Sequence, residues 1–112
     1  MKQPKPQLLG SLEEQVMLAV VRTGANAYGM NVRRELETVT GRSITIGSVY
    51  ATLDRLEAKA LVESWRSPAV EGSVSRRLFA VTAAGARSLA LTRDTRERLW
   101  SGVSLRALGL SH

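Results

Sequence analysis

The sequence predicts a mainly α fold with one small β-hairpin, in the order helix, helix, helix, hairpin, helix. Three observations carry this. Apolar residues recur at helical spacing in three blocks between Leu12 and Leu56. The period then changes: "LVESWRS" and "SRRLFAV" read as strands on either side of "PAVEG", whose proline and glycine suit a loop. Helical spacing resumes after Thr82.

Size and composition bound the answer. A chain of 112 residues predicts one domain with a modest core. Its 44% hydrophobic and 23% charged residues fit a globular, soluble protein. There is no cysteine, which fits a cytoplasmic protein without disulfides. No apolar run reaches the roughly 18 residues of a membrane span, so no membrane partner is expected. Sixteen basic against ten acidic residues give a net charge of +6, which favours a polyanionic partner. Thirteen of the sixteen are arginine, so base composition of the gene is a competing explanation of the charge.

Residues 1–10, "MKQPKPQLLG", carry two prolines and two lysines and read as a flexible basic arm. Ser11 and Glu14 have the spacing of a capping box and open the first helix. Leu12, Val16, Ala19 and Val20 form its main stripe, which Met17, Leu18 and Val21 widen, so it must be covered from several directions. Gly24 suits its end. The second helix is expected from Ala27 to Thr40, with Asn26 as N-cap, Tyr28, Val32, Leu36 and Val39 on one face, and Gly41 as the stop. "RSIT" leads to a third helix capped by Thr45 and ending near Ala60. Trp65 and Phe79 lie on the two strands, and Thr82 caps a last helix whose expected course runs through Trp100 into "SGVSLRALG".

Three short helices and a hairpin make a winged helix-turn-helix, in which the third helix enters the DNA major groove and the hairpin lies along neighbouring phosphates. The third helix starts with Gly47 and Ser48, small residues where a helix built for stability prefers stronger formers. At 100 degrees per residue, Val49, Leu53 and Leu56 point inward. Gly47, Ala51, Asp54 and Ala58 then point away, with Ser48, Thr52, Arg55 and Lys59 on one flank and Tyr50 and Glu57 on the other. A helix end that enters a groove needs small side chains and short hydroxyls, which Thr45, Gly47, Ser48 and Thr52 supply, and Arg55 follows within reach of phosphates. Arg33 and Arg34 on the second helix, with Arg66, Arg76 and Arg77 beside the loop, add charge to the same face, and Glu71 dilutes it. Asp54 counts against DNA unless an arginine pairs with it. The alternative is a winged helix that binds another protein and leaves its basic surface idle.

At this point the residues match a family. "LGSLEEQVMLAVVRTGANAYGMNVRRELE", "ITIGSVYATLDRLEAKALVES" and "RRLFAVTAAGARSL" together resemble the PadR transcriptional regulators over residues 9 to 91. The most specific pieces are "AYG" at 27–29, "GSVYATLDRLE" at 47–57 and "FAVTAAG" at 79–85. The resemblance implies a homodimeric winged-helix repressor, DNA contacts over Thr45 to Tyr50 and near Arg76 and Arg77, and a C-terminal helix that makes much of the dimer interface. On this reading residues 11–82 bind DNA and 83–112 form the dimerisation helix and tail. Two departures stand out: the family usually has glycine at Ala60 and commonly tyrosine at Phe79.

The broad apolar surface of the first helix also predicts a dimer, with Leu12, Val16, Val20, Leu89, Leu99, Trp100 and Val103 as interface candidates. Some relatives hold flat aromatic compounds between their C-terminal helices, so Trp100 reads either as a packing residue or as the platform for a planar aromatic effector. No catalytic constellation is present: the one histidine is His112, and the two aspartates, Asp54 and Asp94, stand at unrelated places. No metal and no cofactor is expected.

Overall fold

The computed structural model describes residues 5–68, 72 and 74–110. Glu71, the middle of the "PAVEG" loop and His112 lie outside them. The elements run α1 (Ser11–Thr23), α2 (Gly29–Thr40), α3 (Ile46–Ala58), β1 (Val62–Arg66), β2 (Arg77–Val81) and α4 (Ala83–Trp100). Single 3₁₀ turns stand at Gly24–Asn26 and Arg106–Leu108. The sheet is the predicted two-stranded antiparallel hairpin, with Ser64 opposite Phe79, Trp65 opposite Leu78 and Arg66 opposite Arg77.

The N-cap of α1 lies one residue before the predicted one. Gly10 is the N-cap and donates its N–H to Glu13 Oε1 at 3.1 Å. Glu14, expected to close a box with Ser11, is buried and takes Arg96 of α4 at 2.9 Å instead. Its apolar breadth has an internal cause. α2, α3, α4 and β2 all pack on α1, so Val16, Met17, Ala19 and Val20 sit in the core of a single chain. Val16 and Val20 are 0% and 2% exposed, which removes both from the predicted dimer interface. Leu12 is half-buried against the same core.

α2 begins at Gly29, not Ala27, and its N-cap is Tyr28, not Asn26. The reason is a long-range pairing. The Ala27 carbonyl accepts the Phe79 N–H at 2.9 Å and Tyr28 forms an antiparallel bridge with Leu78, so this stretch is extended along the hairpin. Gly41 ends α2 in the left-handed conformation, as predicted.

The turn into α3 is stapled at Ile44. Its N–H donates to Glu37 Oε2 at 3.0 Å, and its carbonyl accepts Arg33 Nε at 2.9 Å. Thr45 then caps α3, its hydroxyl accepting the Ser48 N–H at 3.1 Å. α3 closes with the Leu61 N–H on the Leu56 carbonyl and the Ala60 N–H on the Glu57 carbonyl, both 2.9 Å. This is a Schellman ending, with alanine at the residue that must turn left-handed. Ala60 has φ 61°, the sole positive φ outside glycine among the described residues.

Thr82 joins two elements at a corner. Its hydroxyl caps α4 by accepting the Gly85 N–H at 3.0 Å and donates to the Ala60 carbonyl at 2.7 Å. Gly85 is required there, because a Cβ would strike the Leu61 carbonyl oxygen. α4 then projects from the domain and stops at Trp100 rather than running on. The radius of gyration is accordingly 16.6 Å, against ~13 Å for a compact chain of about this size. The described part of the N-terminal arm lies along α4: the Gln7 and Leu9 N–H groups donate to Ser88 Oγ at 3.2 Å and Thr92 Oγ1 at 3.0 Å. Residues 7 and 9 are therefore held, where the sequence predicted a free arm.

Candidate nucleic-acid interface

The start of α3 is as bare as the sequence predicts. Thr45, Gly47, Ser48 and Ala51 are exposed, while Val49, Leu53 and Leu56 are fully buried beneath them. The Thr45 hydroxyl donates to Ser48 Oγ at 2.9 Å, so two short polar groups stand side by side on the first turn. Gly47 is informative because nothing among the described residues demands it. A Cβ there meets only Thr45 Oγ1, at 4.0 Å.

Gly29 makes the contrast. A Cβ at Gly29 overlaps the Tyr50 ring, so this glycine exists to let Tyr50 lie on the first turn of α2. The pairing of "AYG" with "VY" is thus a packing relation between two helices. Tyr50 is half-buried, and with Tyr28, Arg66, Ser75, Arg76 and Arg77 it lines a cleft of about 340 Å³ between the helices and the hairpin. The Arg76 guanidinium lies 4.1 Å above the centre of the Tyr28 ring. Arg66 and Arg76 form no ion pair among the described residues, so this cleft carries net positive charge towards solvent.

Three predicted site residues, Thr52, Arg33 and Arg77, are placed differently. Thr52 is 1% exposed; its hydroxyl donates to the Ser48 carbonyl at 2.8 Å and accepts from Arg55 at 3.3 Å, so it is part of the helix and not of the surface. It lies one step round from the inward stripe, and the core covers that step. Arg33 staples the turn at Ile44 and approaches Glu37 at 3.6 Å. Arg34 is exposed and bonds Asn31 Oδ1 at 3.1 Å. Arg77 turns away from solvent towards α3, reaching Asp54 Oδ1 at 3.0 Å and Glu57 Oε1 at 2.6 Å. Arg55 remains exposed on α3, whereas Lys59 on the same flank pairs with Glu13 at 2.9 Å.

The electrostatics follow these pairs. The Ser64 hydroxyl, then Arg77, hold the Glu57 carboxyl below the ordinary carboxylate value, against a desolvation that opposes them. Lys59 does the same for Glu13, again against desolvation, with the Gly10 N–H assisting. Partial burial disfavours the charge on Arg77, and Asp54 and Glu57 outweigh it, so its pKa lies above the ordinary arginine value. Tyr28 and Arg66 join the cleft as well; in the sequence, only the "AYG" string points to Tyr28.

Comparisons with known proteins agree with this geometry. No curated protein sequence matches the chain. Among solved structures, a PadR-like transcriptional regulator from Bacillus cereus superposes with TM-score 0.70 at 18% identity, covering 90% of this chain and 93% of its own. A PadR-like transcription factor from Bacteroides fragilis gives 0.69 at 22% identity, over 82% and 85% of the two chains. A PadR family regulator from Eggerthella lenta gives 0.63 at 27% identity, over 82% and 83%. The family model described as the transcriptional regulator PadR-like family matches residues 17–91, which include α2, α3, the hairpin and the first half of α4. The chain belongs to the PadR-like family of transcriptional regulators, which are DNA-binding proteins and not enzymes.

Proposed function

We propose that the protein is a cytoplasmic homodimeric repressor that places the first turn of α3 in the major groove of a double-stranded operator. Gly47 carries this reading. A solvent-facing glycine that the fold does not need, on the first turn of a helix, weakens that helix for no internal gain, and close approach of another molecule accounts for it. Duplex DNA fits, because the amides of a helix N-terminus favour phosphate and the neighbouring cleft is basic. Thr45, Gly47 and Ser48 meet the groove, Tyr50 and Arg76 the adjoining backbone, and Arg55, Arg34 and Arg66 add longer-range charge. Two half-sites about one helical turn of DNA apart would match a twofold dimer.

Dimerisation is assigned to α4 and what it leaves open. Leu99, Trp100 and Val103 are exposed, and with Leu108 they border an open apolar hollow of about 250 Å³. Leu89 is half-buried where α4 meets α1. A second α4 would cover this surface, and a planar aromatic effector that stacks on Trp100 would bind within it and release DNA.

The decisive experiment is a salt titration of binding to the protein's own upstream region and to a scrambled duplex. Binding should weaken steeply with salt, as phosphate contacts require. Ser48→Leu should abolish the preference for operator and leave the weak scrambled binding. Operator binding by Ser48→Leu that equals the parent's would remove α3 from the groove. Salt-independent capture of a protein partner would favour the interaction module.

A further inference from the structure

Asp54 is a difficulty for any reading that puts α3 against DNA. It sits seven residues after Gly47 on the same outward face, and Glu57 follows one turn later. A carboxylate about 10 Å along the axis from the point of entry faces a duplex that carries one negative charge per ~1.7 Å of its length. Helix formation does not need Asp54, whose side chain is largely exposed.

The hairpin supplies the answer. Arg77 begins β2 and stands opposite Arg66 in the register, a like-charge pair that costs stability unless one member finds an anion. It crosses to α3 and uses separate guanidinium nitrogens for Asp54 at 3.0 Å and Glu57 at 2.6 Å. Its Nε lies 3.3 Å from Ser64 Oγ, whose hydroxyl bonds Glu57 in turn. The guanidinium also lies 4.7 Å over the Phe79 ring, which is buried and fixed. Each of its three guanidinium nitrogens thus has a partner within the chain, and one face of the group is stacked.

We propose that Arg77 is a positioning residue: it neutralises the two carboxylates of the recognition helix and sets the angle between α3 and the hairpin, and it does not clamp a phosphate. The inference rests on the DNA reading above. Arg76, over Tyr28 and facing the open cleft, is then the hairpin's phosphate ligand.

A thermodynamic cycle on operator DNA, with Arg77→Ala as one arm and Asp54→Asn together with Glu57→Gln as the other, separates the two roles of Arg77. Arg77→Ala should weaken binding roughly tenfold, since it leaves two carboxylates facing the duplex. Combining it with Asp54→Asn and Glu57→Gln should restore affinity to within about twofold of the parent, the strong coupling expected of one charge network. The salt slope of Arg77→Ala should stay near the parent's, whereas Arg76→Ala should lower it by about one unit. An Arg77→Ala deficit that persists undiminished after the carboxylates are neutralised, or a slope lowered by one unit, overturns the proposal in favour of a phosphate clamp. A DNA-free arm keeps this apart from the DNA reading itself: a carbon-13 titration of the Glu57 carboxyl should move upward in Arg77→Ala. An unmoved Glu57 refutes the ion pair whether or not the protein binds DNA. A moved Glu57, with no operator binding by the parent, refutes the DNA reading and with it the role given to Arg77.

Discussion

Replacing Gly47 with alanine should strengthen the protein and weaken its function. Gly47 is the second residue of α3, its φ is not positive, and the space its Cβ would fill is empty to 4.0 Å. Alanine there loses less backbone freedom on folding, worth about 0.5 kcal/mol, the lower end of the usual range because the first turn is the least demanding part of a helix. The unfolding entropy of a 112-residue chain is roughly 0.24 kcal/mol/K, so the melting temperature should rise by about 2 °C. The same methyl group would stand on the surface given to the groove. Forcing a methyl into a close-packed contact costs about 1–3 kcal/mol, so operator affinity should fall roughly 5- to 150-fold, while scrambled DNA, held at longer range, should be bound nearly as before. Thermal melts at fixed protein concentration and fluorescence anisotropy on both duplexes measure the two effects in one preparation. A Gly47→Ala variant that melts higher and keeps operator affinity within about twofold would refute the close-approach argument. A variant that melts lower would refute the claim that the fold leaves this glycine unexplained.

Other substitutions test the packing. Ala60→Gly should raise stability by about 1 kcal/mol, because an alanine at φ 61° carries strain of about 1–2 kcal/mol that glycine lacks, less the entropy glycine costs; chemical denaturation measures it. Gly29→Ala should cost about 1–3 kcal/mol and shift the Tyr50 ring, seen as altered aromatic resonances, since Cβ and ring compete for one space. Glu13 has a folded pKa below its unfolded one, so its contribution is complete above about pH 4.3 and fades as the pH falls through the folded value. Lys59→Met should therefore shrink the acid-induced loss of stability, followed by melts between about pH 2 and 6. Trp100→Ala should impair self-association in light scattering and abolish quenching by planar aromatic dyes, with the tryptophan signal then coming from Trp65 alone; unchanged dye binding would leave Trp100 without a ligand role.

What the sequence made legible was whatever short-range chemistry decides. Thr45, Thr82 and Gly41 act within one helical turn, and each does what its residue type predicts. The start of α2 was hidden because Ala27 and Tyr28 answer to Phe79 and Leu78, some fifty residues away. Glu13 and Glu14 are adjacent and alike, yet Glu13 meets the Gly10 N–H and Lys59 while Glu14 meets Arg96 of α4, and those distant partners do not show in the sequence. Of the apolar surface on α1, Val16 and Val20 face the chain's own elements, while Leu18 and Val21 stay exposed, and sequence spacing does not separate the two sets. In the site, the bare turn at Gly47 and Ser48 was visible as a breach of helix propensity. The destinations of Arg33 and Arg77 were not, because arginine is long enough to serve a carbonyl, a carboxylate or a phosphate, and tertiary placement alone selects among them.

The corner at Thr82 has a mechanical meaning. One side chain holds the chain just past the recognition helix by the Ala60 carbonyl and the first turn of α4 by the Gly85 amide, and Gly85 rests on the Leu61 carbonyl with no room for another atom. The two helices therefore meet at one closely packed corner. α4 has 18 residues and spans ~27 Å, so if that corner holds, a small tilt at its far end, beside Trp100, would carry α3 with it. In a twofold pair the spacing of the two reading heads is then governed by the angle between two long arms, and a molecule wedged near Trp100 would act at the end with the greatest leverage.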